Sequence, residues 1–388
     1  MKSQRQAYGE VLAELGASHE NLVVCDADLA HATMTDIFKA AYPERFFDFG
    51  IAEANMVCNA AGMAHSGLMP FVSTFALFGA GRAYEQIRNS VCYVNANVKF
   101  GLCHAGISTG EDGGSHQSIE DIALMRVLPN MHIFVPCDAL ELKKAVRAAV
   151  EIDGPVYIRI ARPPRDIITS DDTPFIPGKA NVMREGSDIC IMATGLMVEE
   201  SLKAAEMLAE EGISAAVVNH TSLKPFDEDI CREYHEKMPI LSVEEHSIIG
   251  GLGSAVTEAI AGVPGGKFGM VGIMDKFGKS GKPADLFKAV GLTPENLCVN
   301  AKKLLKYVFW RLDRAKIKKT KQEENMKKTV AIILCVLMCV GCFAACGSQP
   351  AAEQTQAPAA EESKAPAENN ETADPALEEE YYFTMGST

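Results

Sequence analysis

Positive charge is scarce in the first 310 residues, and that removes the case for a nucleic-acid partner. The 388-residue chain has a formal net charge of −14. Residues 1–310 carry −11 of it, residues 311–328 carry +5 and residues 347–388 carry −8. Gripping a phosphate backbone needs a basic face, so no nucleic acid is expected. Metal-ligand spacing is missing from residues 1–310 too: of twelve cysteines, Cys25, Cys58, Cys92, Cys103, Cys137, Cys190, Cys231 and Cys298 stand singly in apolar segments, and the CxxC of Cys339 and Cys342 lies inside a later apolar run where a metal site is not expected. Isolated thiols of this kind read as reduced, packed side chains of the cytosol rather than disulfides or a zinc site. No charged-then-apolar leader opens the chain, and the expected location is the cytoplasm.

What the body does contain is apolar runs of strand length alternating with helical patterns. About 310 residues is twice the usual single-domain size, so two domains with real cores are expected. Residues 21–26 (NLVVCD), 99–105 (KFGLCHA), 132–138 (HIFVPCD) and 154–161 (GPVYIRIA) read as buried strands, with a helix over 138–150. Such alternation predicts a parallel sheet covered on both faces. A stretch rich in Pro, Asp and Gly at 162–178 breaks the pattern as a linker. Beyond it, residues 188–195, 214–220, 240–245 and 268–274 read as a second set of strands, and Gly212 as the stop of a helix over 198–211. The expected fold class is α/β with two doubly wound domains, residues 1–165 and 183–310, joined by a linker at 166–182.

Residues 47–56 read FDFGIAEANM, a strand meeting Gly50 and then a helical stretch from Ile51 to His65. Glu53 stands at that corner among apolar neighbours, a setting that raises a carboxylate's pKa. A helix-start glutamate favoured by the macrodipole is the plainer alternative. Phe75 and Phe78 lie three apart, on one face if that segment is helical, where rings could stack on a ligand or simply fill core. Between His104 and His116 the chain reads HAGISTGEDGGSH. Glycines there let backbone approach a ligand, and imidazoles titrate where hydroxyls exchange protons, although a surface loop with incidental histidines would look the same. Arg5 and Arg162 are arginines of the kind that fork onto phosphate, or plain surface residues.

Taken together, FDFGIAEANM, PFVSTFALFGAGRAYEQIRNSV and HxGxxxGEDGxxHQ resemble the pyrimidine-binding domain of transketolase, and residues 183–299 resemble its C-terminal domain, in order and spacing over about residues 1–305. The resemblance implies thiamine diphosphate as cofactor, with Glu53 sharing a proton with the N1' ring nitrogen, Phe75 and Phe78 stacking on the pyrimidine, and Asp28 near the thiazolium. His104 and His116 would handle sugar hydroxyl and carbonyl groups, Asp112 would read a donor hydroxyl, and Arg5 and Arg162 would hold the phosphate of phosphosugar substrates. The implied reaction is reversible transfer of a two-carbon ketol unit from a ketose phosphate to an aldose phosphate, as in the pentose phosphate pathway. Two departures stand out: Gly81 replaces a third aromatic, and Ala32 replaces a serine that touches phosphate.

The family binds diphosphate through Mg²⁺ on a GDG segment with a later Asn, and this sequence has no such segment. The resemblance is therefore to the C-terminal half of a split transketolase. It implies an N-terminal-half partner subunit carrying diphosphate and metal, a dimer of heterodimers, and no metal ligand in this chain. Deoxyxylulose-phosphate synthase usually has an acidic residue where His104 stands, and 2-oxoacid dehydrogenase beta subunits lack GEDGxxHQ; both are weaker alternatives.

The last residues fit none of this. Residues 311–325 are a basic linker, and from Met326 the chain reads MKKTVAIILCVLMCVGCFAACGS, resembling a bacterial lipoprotein signal peptide ending at Cys346. Its apolar run, 330–345, is short for a membrane span. Residues 347–388 are rich in Ala, Pro and Glu, and disorder is expected there. A leader in mid-chain cannot direct export. Two joined reading frames are the expected explanation, ahead of a membrane anchor at 326–346 or a helical hairpin. The tail alone would suggest an anchored lipoprotein or solute-binding module.

Overall fold

The computed structural model of the chain describes residues 1–306 and Met326, Lys327 and Thr329. The expectations for 311–325, 326–346 and 347–388 otherwise lie outside the described residues. Among the described residues no helix is long and apolar enough to cross a membrane.

Two α/β domains follow one another. The first holds β1 (Leu22–Asp26), β2 (Phe46–Asp48), β3 (Met69–Phe75), β4 (Lys99–Cys103), β5 (His132–Phe134) and β6 (Val156–Ile160). The second holds β7 (Asn181–Arg184), β8 (Ile189–Ala193), β9 (Ala215–Asn219), β10 (Ser222–Lys224), β11 (Ile240–Ser247) and β12 (Phe268–Ile273). The first sheet runs β10-β5-β6-β4-β3-β1-β2 and is parallel except at β10, which pairs antiparallel with β5. The second runs β12-β11-β8-β9-β7, parallel except for the antiparallel edge β7. The second domain thus donates one edge strand to the sheet of the first.

Strands buried on both faces explain the continuous apolar runs. Val24 and Phe71 pack with Tyr8, Leu12, Leu142 and Val146, from the helices Gln4–Gly16 and Ala139–Val150, on one face. Their neighbours Cys25 and Val72 pack with Met56 and Val57, from the helix Glu53–His65, on the other. The helix expected over 138–150 begins with Asp138 as N-cap, whose Oδ1 accepts from the backbone N–H of Leu140 and Glu141 at 2.9 and 2.8 Å. In the second domain the helix Met197–Glu210 closes near Gly212, which has φ +78°.

Seven of the eight thiols in the first 306 residues are buried and none is bridged; Cys58 differs in being exposed. Two local expectations are corrected. Phe75 and Phe78 do not share a helix: Phe75 is the last residue of β3, and Phe78 opens a π-helical segment, Phe78–Arg82. The run MPFVSTF, with its β-branched Val72 and Thr74, extends the strand further than the three-residue spacing suggested. The helix after FDFG starts at Glu53 rather than Ile51, and Ile51 is exposed.

Candidate active site

The carboxyl ends of β1, β2, β3 and β4 deliver the candidate residues to one region, as open α/β sheets do. At the end of β2, Asp48 Oδ1 accepts from the N–H of Gly50 at 2.9 Å and of Asp28 at 3.0 Å. One carboxylate therefore ties the corner before Glu53 to the loop after β1. Gly50 has φ +65°, a conformation that suits glycine. Glu53, first residue of its helix, is 4% exposed. The all-apolar corner read from the sequence is corrected here: Arg82 Nη1 donates to Glu53 Oε1 at 2.9 Å. Among the described residues Glu53 Oε2 has no such partner.

An aromatic stack runs beside this carboxylate. The rings of Phe75 and Phe78 lie 5.7 Å apart and nearly parallel, and Phe75 stacks on His104 at 3.9 Å. His116 meets Phe78 edge-on at 5.2 Å. His104 is buried in a left-handed conformation, φ +58°, and its Nδ1 lies 3.0 Å from Cys103 Sγ. Burial, then the charges of Arg5, Arg162 and His116, hold its pKa down to about 3. The imidazole is neutral at pH 7, so it can both donate and accept.

The charges of Arg5 and Arg162 both oppose protonation of His104. Arg5 Nη1 donates to the Ala32 carbonyl at 2.6 Å, and its buried Nε has no partner among the described residues. Arg162 Nη1 donates to the Thr109 carbonyl and lies 3.4 Å from Glu111 and 4.0 Å from Asp112. Asp28 is exposed, with φ +61°; its backbone N–H is tied into the site, while its side chain makes no contact with the aromatic stack that the structure records.

Several supporting residues escaped sequence reasoning. Asp26 is fully buried, accepting from Leu29 N–H and from the hydroxyls of Thr33 and Thr35 at 2.7–2.9 Å. Burial pushes its carboxyl up to about 6, and it fixes the loop that carries Asp28 and Ala32. From the second domain, Glu245 on β11 accepts the N–H of Ser108 at 2.6 Å, and Gln117 Nε2 donates to the Lys279 carbonyl at 2.9 Å. A side chain at Gly106 would place its Cβ 2.3 Å from Glu245 Oε1. The glycines of the 104–116 loop therefore serve close approach to the second domain as much as to any ligand. Arg82 itself left one sequence signal, a lone cation in the otherwise apolar run ALFGAGRAY.

A buried carboxylate, two stacked rings and a neutral imidazole thus stand together at the carboxyl end of the first sheet, with Arg82 joining Glu53 to the Phe78 ring. Residues 1–164 match the transketolase pyrimidine-binding domain, and residues 178–297 match the transketolase C-terminal domain. This chain belongs to the transketolase family. It is 47% identical over 299 residues to a transketolase C-terminal section from Methanocaldococcus jannaschii, an alignment covering 76% of this chain and 94% of that protein. It is 40% identical over 294 residues to a 6-deoxy-6-sulfo-D-fructose transketolase subunit from Clostridium sp. strain MSTE9, covering 76% and 91%. A solved split-gene transketolase, an inactive beta4 tetramer, superimposes with a TM-score of 0.74 at 47% identity, covering 79% of this chain and 99% of that one. The chain is thus a transketolase-family subunit holding the pyrimidine-binding and C-terminal domains.

Proposed function

We propose that this transketolase-family chain is the pyrimidine-side half of a two-subunit enzyme, transferring a two-carbon ketol unit from a ketose phosphate to an aldose phosphate with thiamine diphosphate. The observation that carries the reading is the buried Glu53 carboxylate, joined through Arg82 to the Phe78 ring of the Phe75–Phe78–His104 stack. This donor set fits an aminopyrimidine: two stacked rings for its face, and a dry carboxylate for a ring nitrogen. When bound, the cofactor supplies the nucleophilic carbon that carries the two-carbon unit, and Mg²⁺ neutralises its diphosphate. The GDG ligands for that metal are absent from this sequence, so an N-terminal-half subunit holds diphosphate and metal, and two such heterodimers assemble.

The roles of the chain's own residues follow from their chemistry. Glu53 holds a proton at the ring nitrogen; Phe75 and Phe78 orient the ring, and Asp28 lies toward the thiazolium side. Neutral His104, with His116, passes protons at sugar hydroxyl and carbonyl oxygens. Asp112 accepts from a donor hydroxyl, and Arg5 and Arg162 bind the anionic end of the sugar, with the unpartnered Arg5 Nε as one donor. Ala32 offers its carbonyl to Arg5 rather than a hydroxyl to phosphate, so phosphate recognition falls more heavily on the two arginines.

Co-expression with a partner that carries GDG, followed by turnover of xylulose 5-phosphate and ribose 5-phosphate, tests the reading. The complex is expected to transfer ketol units only with thiamine diphosphate present, and the isolated chain to be inactive. Cofactor-independent turnover, or full activity of this chain alone, defeats the proposal.

A further inference from the structure

Arg82 holds two partners at once. Its Nη1 donates to Glu53 Oε1 at 2.9 Å, and its guanidinium carbon lies 4.1 Å from the centre of the Phe78 ring. The two residues stand at opposite ends of the π-helical segment Phe78–Arg82. A flat cation that donates N–H to a buried carboxylate while covering an aromatic face makes the contacts a protonated aminopyrimidine would make with the same two side chains. Two planar groups cannot lie on one face of Phe78. Arg82 is 52% exposed while Glu53 is 4% exposed, so the arginine enters from the solvent side and can swing out without opening the core.

We propose that Arg82 is a competitor built into the cofactor pocket: it takes the Phe78 face and the Glu53 carboxylate, and entry of the thiamine ring displaces it. The inference rests on the proposed function above. Its physical logic has two sides. A buried carboxylate without a counter-charge is costly, and Arg82 supplies that charge before the ring arrives. Whatever fraction of molecules keep Arg82 inward, the affinity for the ring falls in proportion; an inward population of about nine in ten weakens it about tenfold. Arg82 is on this account a positioning residue for Glu53, which sets the cofactor requirement of the assembled enzyme.

The test is titration calorimetry of thiamine diphosphate with Mg²⁺ into the two-subunit complex carrying wild-type chain, Arg82→Ala or Arg82→Lys. Arg82→Ala is expected to bind about tenfold tighter than wild type, equivalent to about 1.4 kcal/mol. Arg82→Lys, a point charge without the planar fork, should fall between them, and it decides the matter if the alanine variant does not fold. Free guanidinium ion at low millimolar concentration should weaken binding to Arg82→Ala and leave wild type unchanged. Variants that bind no tighter than wild type, or an alanine variant indifferent to guanidinium, overturn the competitor and leave the proposed function standing. A wild-type complex that binds no thiamine diphosphate overturns both.

Discussion

In the proposed reading Glu53 and His104 are the side chains that meet cofactor and sugar, and their surroundings differ: Glu53 has a cationic partner, whereas His104 lies near three groups whose charges oppose its protonation. Glu53 is buried against one half-exposed cation, so replacing it with Gln keeps the shape and removes the carboxylate that the proposed function assigns to the ring nitrogen. Glu53→Gln is expected to lower ketol-transfer kcat by about 10³-fold in the reconstituted complex while leaving assembly intact, in the range for loss of a positioned proton donor or acceptor. Turnover close to wild type would remove Glu53 from the chemistry. His104 is held neutral, its pKa lowered to about 3 chiefly by burial. A base whose folded pKa lies below its unfolded value takes up protons more readily when unfolded, so its contribution is harmless above about pH 6.5 and destabilises as pH falls from there toward 3. At pH 5 the penalty from His104 is about 2 kcal/mol. Urea unfolding at pH 7 and pH 5 should therefore show His104→Gln losing less stability on acidification than wild type, by roughly that amount. Asp26, raised to about 6 by burial, pulls in the other direction between about pH 4 and pH 6. Because it is present in both proteins, the comparison cancels it. An equal loss in both would mean that His104 is protonated in the fold.

The loop from His104 to His116 is an element shaped from both domains. Its 3₁₀ segment, Ile107–Asp112, is interrupted at Gly110, with φ +82°, and is flanked by Gly106 and Gly113 at φ +79° and +78°. Glu245 of β11 anchors it through Ser108 N–H, and Arg159 on β6 links the two domains behind it, bonding Asp121 at 2.7 Å and the Glu245 carbonyl at 3.1 Å. Gly106→Ala combines an unfavourable φ with a Cβ driven onto the Glu245 carboxylate. It should cost about 2 kcal/mol of stability and raise the KM for phosphosugars more than it lowers kcat. Chemical denaturation and steady-state kinetics of the complex check both halves; a variant with unchanged KM would show that the anchor does not position the loop. The glycine density was legible in the sequence, and its reading as room for a ligand was incomplete. A glycine pattern records that something comes close, not which partner it is.

For the molecule as a whole, the shared edge strand decides how far the domains are separable. β10 lies in the second half of the chain yet pairs with β5 of the first sheet, Ser222 opposite Phe134 and Lys224 opposite Ile133. Leu223 lies in one apolar cluster with Met131, Ile133 and Val135. A fragment of residues 1–178 would leave that edge unpaired and those side chains uncovered, which favours edge-to-edge association. It should elute as oligomers or precipitate where residues 1–306 remain monodisperse by light scattering; a soluble monomeric fragment with native far-UV signal would contradict this. Sequence alone determined most of the central strands and the alternation with helices, because strands buried on both faces must be continuously apolar and helices must repeat near every fourth residue; β3, read as helical around Phe75, and the short antiparallel edge strands β7 and β10 escaped it. It also supplied the residue types of the site, since FDFGIAE and GEDGxxHQ are contiguous stretches of chain. Only the tertiary structure decided that Arg82 faces Glu53 across 29 residues, that Glu245 grips the loop across 137, and that Phe75 ends a strand. Periodicity reports how a residue meets its own element, whereas pairings between distant segments depend on where the fold carries each of them, and no local pattern encodes that.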